Sequence, residues 1–213
     1  MSVLKIMKNV LLDFDGVVYN NKNTFKHINH KSTCYVAKHK NIPYSKAATI
    51  NKCNYVKNGH TTFTTNTTVM DYNNFVFDSN TIDDILYINY NGEDTYRLRQ
   101  LKEIKERNEL NLILCTNAPL YYCERILELS GMTLSDLFST QHCFTSDRLQ
   151  CVKPSDQFFN HIQTQLDCQS RHVSFYDDSM LNIYAARLNI PNMKSFIFNP
   201  NDVNFEMIQN NTK

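Results

Sequence analysis

The sequence predicts an α/β fold with a mostly parallel five-stranded sheet, and three observations lead to this prediction. Short, continuous apolar runs recur along the chain, as they do in strands that are buried on both faces. Helical patterns with a single apolar face separate these runs in the second half of the chain. Between the first run and the second, residues 20–93 carry helical patterns and no convincing strand. We therefore expect a Rossmann-like three-layer core with an inserted α-helical cap.

The predicted strands are apolar runs of similar length, each followed by polar or turn-forming residues. They are KNVLLDF (8–14), LNLILC (110–115), QHCFTS (141–146), HVSFY (172–176) and KSFIF (194–198). Because helices separate the strands, neighbouring strands are expected to be parallel, in the order 5-4-1-2-3.

The four predicted core helices each place apolar residues on one face, at residues 94–108, 119–131, 155–166 and 179–190. In the first, Leu98, Leu101 and Ile104 share a face and charged residues cover the other side. The second opens with Pro119, which suits a first helical turn, and closes on Gly131.

The long interval after the first strand is predicted to be a separate helical unit. We assign residues 1–19 and 94–213 to the catalytic core and residues 20–93 to the cap. The cap patterns are FKHINHKSTCYVAKHK (25–40), PYSKAATINKCNYVKNG (43–59) and NNFVFDSN (73–80). An insertion at this point is expected to lie over the carboxyl ends of the strands, where open α/β sheets bind ligands.

Composition excludes several classes of protein. The chain has 213 residues, 42% of them apolar, and a net charge of +1, which does not favour a nucleic-acid polymer as partner. No apolar run is long enough to span a membrane, and the N-terminal segment is a poor signal peptide. The cysteines are odd in number, lack CxxC spacing and favour reduced thiols in a cytoplasmic protein: Cys34, Cys53, Cys115, Cys123, Cys143, Cys151 and Cys168.

Polar residues that could carry out chemistry follow four of the predicted strands. They are Asp13 and Asp15 at the end of the first strand, Thr116 and Asn117 after the second, Lys153 after the third, and Asp177 and Asp178 at the end of the fourth. Since parallel strands end at the same edge of a sheet, these groups are expected to meet in one crevice. Four carboxylates in one crevice repel each other, so a divalent cation is nearly required, and all-oxygen ligation favours Mg²⁺.

A metal ion, a lysine and helix-start amides around one site are the components of phosphoryl transfer. One carboxylate can act as a nucleophile, which gives an aspartyl-phosphate. A second acid two residues later is placed to protonate the leaving alcohol and then to activate water. In the alternatives without a function, the acids form a turn at the strand end and Lys153 is a surface lysine. These alternatives do not explain why the groups follow successive strands.

The segments DFDGVVY, CTNA, VKP and YDDS resemble, in order and spacing, the four motifs of the haloacid dehalogenase (HAD)-like hydrolase superfamily. The resemblance implies that Asp13 is the nucleophile and Asp15 the general acid and base. It also implies that Thr116 and Lys153 hold the phosphoryl group. The implied Mg²⁺ site is formed by Asp13, Asp177, Asp178 and the backbone carbonyl of Asp15. An acid at position 15 favours phosphatases over dehalogenases.

Within that superfamily the chain is most similar to the pyrimidine 5'-nucleotidase branch. The similarity rests on TNA, CVKP, Tyr19 at the end of the first motif, and NYVKNGHT (54–61) in the cap. It adds Asn117, Tyr19, Tyr55, Gly59 and His60 to the expected substrate-binding residues. The chain departs from the branch after Asp15, where Gly16-Val17-Val18 replaces the usual Asn-Thr-Leu.

These features together predict a Mg²⁺-dependent phosphomonoesterase. The expected substrate is a small phosphorylated metabolite, with nucleoside 5'-monophosphates preferred, and the expected location is the cytoplasm. One alternative is a phosphatase or phosphomutase for sugar phosphates or other small phosphorylated metabolites. Another is a non-catalytic binding protein with the same fold. The sequence gives no indication of the oligomeric state.

Overall fold

The computed structural model describes residues 8–166 and 173–211, which form a five-stranded parallel sheet with helices on both faces. The strands are β1 (Lys8–Leu12), β2 (Leu110–Cys115), β3 (Cys143–Phe144), β4 (Val173–Asp177) and β5 (Lys194–Ile197). Their order is β3-β2-β1-β4-β5, which confirms the predicted order. The third strand is shorter than predicted, because the chain turns into a helix directly after Thr145.

The sheet is buried on both faces, as its continuous apolar strands require. On β1, Val10 and Leu12 face one hydrophobic core, and Leu11 between them faces the other. The register pairs Leu11 with Ile113 of β2 and with Phe175 of β4, so each core continues across neighbouring strands. Burial of each such side chain contributes about 1.5–3 kcal/mol to folding, which fixes the register of the central strands.

The helices of the core domain cover both faces. They are α6 (Gly92–Asn108), α7 (Leu120–Leu129), α8 (Leu134–Leu137), α9 (Ser146–Leu149), α10 (Asp156–Gln165), α11 (Met180–Asn189) and α12 (Glu206–Asn211). All four predicted core helices are present, with ends that differ by at most two residues from the expected ones. The short helices α8, α9 and α12 were not predicted, because one turn of helix has too little periodicity to be recognised.

The interval between β1 and α6 is helical, and no described residue within it belongs to a strand. Its helices are α1 (Lys22–Lys40), α2 (Tyr44–Asn58), α3 (Thr62–Thr65), α4 (Val69–Val76) and α5 (Ser79–Asn89). The helical pattern predicted at 73–80 is divided in the structure between the end of α4 and the start of α5. The chain breaks there at Phe77 and Asp78, whose carboxylate accepts a hydrogen bond from the Thr81 hydroxyl at 2.6 Å.

Two hydrogen bonds between side chains join the cap to the core. The Asn21 amide donates to the Asp94 carboxylate at 3.0 Å, which joins the start of α1 to the start of α6. The buried Asn73 amide of α4 donates to the Ser146 hydroxyl of α9 at 2.9 Å. The first seven residues of the predicted core and Cys168 lie outside the described residues. Among the described helices, none combines the length and hydropathy that crossing a membrane requires.

Candidate active site

The loop after β1 carries two acids in a tight, defined conformation. Gly16 has a φ of +83°, and its N–H donates to the Tyr19 carbonyl at 2.7 Å. A Cβ atom at this position would collide with the Asp178 carboxylate. Glycine is therefore required twice, for the positive φ and for the close approach of Asp178. This loop turns the chain so that Asp13 and Asp15 both face the edge of the sheet beyond β1.

Lys153 is fully buried and lies between two carboxylates. Its Nζ is 3.0 Å from Asp13 Oδ1 and 2.6 Å from Asp177 Oδ2, and it donates to the Cys115 carbonyl at 2.8 Å. Burial alone would lower the pKa of this lysine, but Asp13 and Asp177 raise it above its usual value. The lysine is therefore charged, and it ties the end of β1 to the end of β4.

Both oxygen atoms of the Asp177 carboxylate accept two hydrogen bonds each. Its Oδ1 accepts from the Ser179 N–H at 2.8 Å and from the Asn182 amide at 3.0 Å. Its Oδ2 accepts from Lys153 and from the same Asn182 amide at 3.1 Å. A carboxylate offers about four lone-pair directions, so Asp177 has no free direction left.

Three acids are nevertheless close enough to share a cation. Oxygen atoms of Asp13, Asp177 and Asp178 all lie within 4.8 Å of one another. The Asn182 Oδ1 atom is buried without a hydrogen-bond partner and lies in the wall of the same cavity. The clustered carboxylates offer only oxygen atoms as ligands, which fits Mg²⁺.

Burial raises the pKa of the acids in this crevice. It raises the pKa of Asp15 to about 7, although a hydrogen bond from the Tyr122 hydroxyl at 3.0 Å opposes the shift. It raises the pKa of Asp178 to about 6, with Asp177 adding to the shift. The pKa of Asp13 is also raised by burial, and Lys153 opposes this. An acid with a pKa near 7 can both donate and accept a proton at neutral pH.

Thr116 and Asn117 follow β2, as predicted, but they have different roles. Thr116 is buried, lines the cavity, and accepts a hydrogen bond from the Ala118 N–H at 3.1 Å. Asn117 also lines the cavity, and its side chain bonds both backbone groups of Lys153, accepting from the N–H at 2.7 Å and donating to the carbonyl at 2.9 Å. Asn117 therefore fixes the loop that carries the lysine.

The acids open into a cavity of about 360 Å³ between the sheet edge and the cap. On the core side it is lined by Asp13, Asp15 and Asp178 among others. The cap contributes aromatic, aliphatic and uncharged polar side chains: Phe25, Ile28, Asn29, Ser32, Asn51, Tyr55, His60, Thr61, Tyr72 and Phe77. The cap therefore closes one side of the crevice that holds the acids.

Of the four other residues predicted to bind substrate, two line the cavity and two do not. Tyr55 and His60 line the cavity. Tyr19 and Gly59 do not line it. Tyr19 is buried beside Phe14, with its hydroxyl 2.9 Å from that of Thr24. Gly59 ends α2 with a φ of +80°, and a Cβ atom there would approach Pro154 Cδ to 2.7 Å.

Two residues that support the site were missed from the sequence. Tyr122 bonds Asp15, and Arg97 donates to the Val17 carbonyl at 2.6 and 3.1 Å, which holds the loop after β1. Tyr122 lies four residues before Ile126, and both are buried, so helical spacing could have placed Tyr122 on the inner face of α7. Arg97 gave no comparable signal, because the sequence of a charged helix does not distinguish a buried arginine from a solvent-exposed one.

No protein-family model matches the chain, and no curated protein sequence does. Solved structures do match it. A HAD-family enzyme from Bacteroides thetaiotaomicron, solved in complex with magnesium and inorganic phosphate, is 14% identical, with a TM-score of 0.55 over 92% of this chain and 96% of its own. A HAD phosphatase from Thermococcus onnurineus is 19% identical, with a TM-score of 0.56 over 92% and 88%.

A third structure, of a predicted HAD-like family hydrolase from Porphyromonas gingivalis, covers nearly the whole chain. It is 13% identical, with a TM-score of 0.59 over 97% of this chain and 98% of its own. Its match extends across the cap helices as well as the sheet, since it leaves only a few per cent of either chain uncovered. The chain therefore has the α/β fold of the haloacid dehalogenase-like hydrolases, as its four motifs predicted.

Proposed function

We propose that this protein is a Mg²⁺-dependent phosphomonoesterase that acts through an aspartyl-phosphate on Asp13. The observation that carries the proposal is the meeting of Asp13, Lys153 and Asp178 in one crevice beneath the cap. Structures with the same fold include a HAD phosphatase, and one HAD-family enzyme was solved with magnesium and phosphate. These groups come from three separate segments of the chain, after β1, α9 and β4, so a purely structural role for them is a poor explanation.

Asp13 is held in a position suited to nucleophilic attack. Its Oδ1 accepts hydrogen bonds from the Phe14 N–H at 2.7 Å and contacts Lys153 Nζ at 3.0 Å. Among the described residues, none donates a hydrogen bond to its Oδ2, so that oxygen remains available to attack phosphorus. Lys153 opposes the rise that burial causes in the pKa of this carboxyl group, because an adjacent positive charge favours the charged form.

Asp15 supplies and removes the proton. In the first step Asp13 Oδ2 forms a bond to phosphorus, the bond from phosphorus to the ester oxygen breaks, and Asp15 gives that oxygen its proton. In the second step Asp15 takes a proton from water, the water oxygen bonds to phosphorus, and the bond to Asp13 breaks. The raised pKa of Asp15, about 7, suits both directions of transfer. The Tyr122 hydroxyl orients the Asp15 carboxylate.

The metal would be held by Asp13, Asp178 and the backbone carbonyl of Asp15. When bound, Mg²⁺ neutralises the charge of the phosphoryl oxygens and orients them for in-line displacement. Asp177 was predicted as a fourth ligand, but its lone pairs are taken by Lys153, Ser179 and Asn182. We assign it the role of holding Lys153. Thr116 lines the cavity and would contact the phosphoryl group, whereas Lys153 does not line the cavity and acts on the site through its contact with Asp13.

The preferred substrates are nucleoside 5'-monophosphates, which the similarity of the motifs to the pyrimidine 5'-nucleotidase branch favours. A cavity of about 360 Å³ lies near the lower end of the range of small-molecule sites, which suits a compact metabolite. Tyr55 and His60 of the cap line that cavity and are the expected contacts to the leaving group.

The test compares Asp13→Asn with Asp84→Asn, a matched substitution of an exposed acid on α5. With Mg²⁺ and a generic aryl phosphate, Asp13→Asn should lose turnover, and Asp84→Asn should match the unchanged protein. EDTA should stop the reaction and added Mg²⁺ should restore it. Full turnover by a folded Asp13→Asn protein would contradict the nucleophile assignment.

A further inference from the structure

The cap side of the active-site cavity differs from the core side in charge. The structure assigns this cavity to phosphate monoesters whose leaving alcohol is uncharged. Compounds that carry a second phosphate or a carboxylate are disfavoured. The inference rests on the proposed phosphatase function and adds the class of leaving group that the cavity accepts. Three observations support it, from the charged groups, the hydrogen-bond donors and the apolar side chains of the wall.

The charges already in the site leave no cation for a second anion. The only positive side chain near the acids, in the part of the chain that the structure describes, is Lys153, and both Asp13 and Asp177 contact it. With Mg²⁺ beside Asp13 and Asp178, the metal ion and Lys153 supply three positive charges, and the carboxylates of Asp13, Asp177 and Asp178 already balance all three. A second anionic group would be buried beside carboxylates without a counter-charge, which is strongly unfavourable.

The cap wall supplies no such counter-charge. No lysine or arginine is among the described residues that line the cavity. The one titratable base there is His60, which is 5% exposed, and burial lowers its pKa to about 4. The ring is therefore neutral at physiological pH and contributes no positive charge. The wall is electrically neutral where a bisphosphate would place its second group.

The wall does offer hydrogen-bond donors for neutral acceptors. His60 Nδ1 accepts from the Thr62 N–H at 3.3 Å, so the neutral ring carries its proton on Nε2. The Asn51 Oδ1 atom accepts from the Thr61 hydroxyl at 2.9 Å, which leaves the Asn51 amide nitrogen as a donor. Both residues line the cavity. Such donors match carbonyl or hydroxyl oxygens of an uncharged leaving group.

Part of the cap wall is apolar. Phe25 and Ile28 come from α1, and Phe77 follows α4, and all three line the cavity. A flat or aliphatic face of the leaving group can pack on these side chains. The favoured leaving alcohol is therefore uncharged, has one apolar face and presents an oxygen acceptor.

The experiment uses two aryl phosphates that differ by one charge. In 4-carbamoylphenyl phosphate the para group is a neutral amide, and in 4-carboxyphenyl phosphate it is a carboxylate of nearly the same size. With Mg²⁺, we expect kcat/KM for the carboxylate to be lower by about tenfold or more. Equal values would overturn the inference and leave the phosphatase function intact. Hydrolysis of neither ester would overturn the proposed function itself, and the inference with it.

Charge variants at the cavity mouth give an independent test. Asn29 lines the cavity and is exposed, so it tolerates substitution. Asn29→Lys should raise the carboxylate-to-amide ratio of kcat/KM by about threefold or more, and Asn29→Asp should lower it. Asn74→Lys on α4, exposed and outside the cavity lining, is the matched control and should leave the ratio unchanged. An unaltered ratio in both Asn29 variants would contradict the charge argument.

Discussion

Replacement of Lys153 by methionine removes the buried charge that joins β1 to β4 and keeps a side chain of similar length. At 2.6 and 3.0 Å and an effective dielectric constant of about 20, Coulomb's law gives roughly 5–6 kcal/mol for each carboxylate contact. The cost of burying the ammonium group offsets much of this attraction. Removal of the lysine ammonium group, however, leaves the buried carboxylates of Asp13 and Asp177 without their cation.

We expect Lys153→Met to lower the free energy of unfolding by about 3–5 kcal/mol, because unpaired buried carboxylates are destabilising. The measurement is urea denaturation in EDTA, followed by circular dichroism. For a protein of this size the midpoint should fall by about 1–2 M urea. In the double variant Lys153→Met, Asp177→Asn the loss should be smaller than the sum of the single losses, because the second change removes one unpaired charge.

Two results would refute this reasoning. A loss below about 1 kcal/mol in Lys153→Met would show that the ion pairs contribute no more than surface salt bridges. Strict additivity in the double variant would show that Lys153 and Asp177 are not energetically coupled. Lys102→Met is the matched control, since Lys102 pairs with Asp136 at 2.8 Å on the surface and its replacement should change the stability far less.

Three further predictions concern the loop glycines and Asp15. Gly16→Ala should weaken Mg²⁺ binding, measured by calorimetry, by about tenfold or more, because a Cβ would displace Asp178; unchanged affinity would contradict this. Gly59→Ala should lower stability by about 1–3 kcal/mol through its positive φ and its contact with Pro154, with a normal melting temperature as the contrary result. The pKa of Asp15 is about 7 in the folded protein, so in EDTA the stability of the protein should fall as the pH rises from the pKa of Asp15 in the unfolded chain toward 7. Asp15→Asn should reduce this dependence of the melting temperature on pH.

The sequence was sufficient for the sheet because its strands carry strong, local signals. Leu110–Cys115 was predicted with its correct bounds, since a fully apolar run between polar residues has few alternatives. The strand ends then followed from topology, because parallel strands end at one edge. That is why Asp13, Lys153 and Asp178 could be expected to meet although 165 positions separate the first from the last.

The cap could not be predicted to the same depth, because its site depends on the packing of helices. Periodicity gives the buried face of α1 but does not show that Phe25 and Ile28 line a cavity shared with α4. Tyr19 and Gly59 were selected from motif similarity, and the structure places both outside the cavity lining. The burial that lowers the pKa of His60 is likewise a property of the folded cap and has no counterpart in the sequence.

The adjacent acids Asp177 and Asp178 show how the fold separates residues that the sequence presents as equivalent. Asp177 ends β4 with its side chain buried against Lys153, and its hydrogen bonds are complete without a metal. Asp178 comes one residue later, is more exposed than Asp177, and has its carboxylate beside Gly16. One acid therefore fixes the lysine and the other remains open to a cation. This division allows the site to stay folded without a bound cation, because Asp177, which is fully buried, is already paired with Lys153.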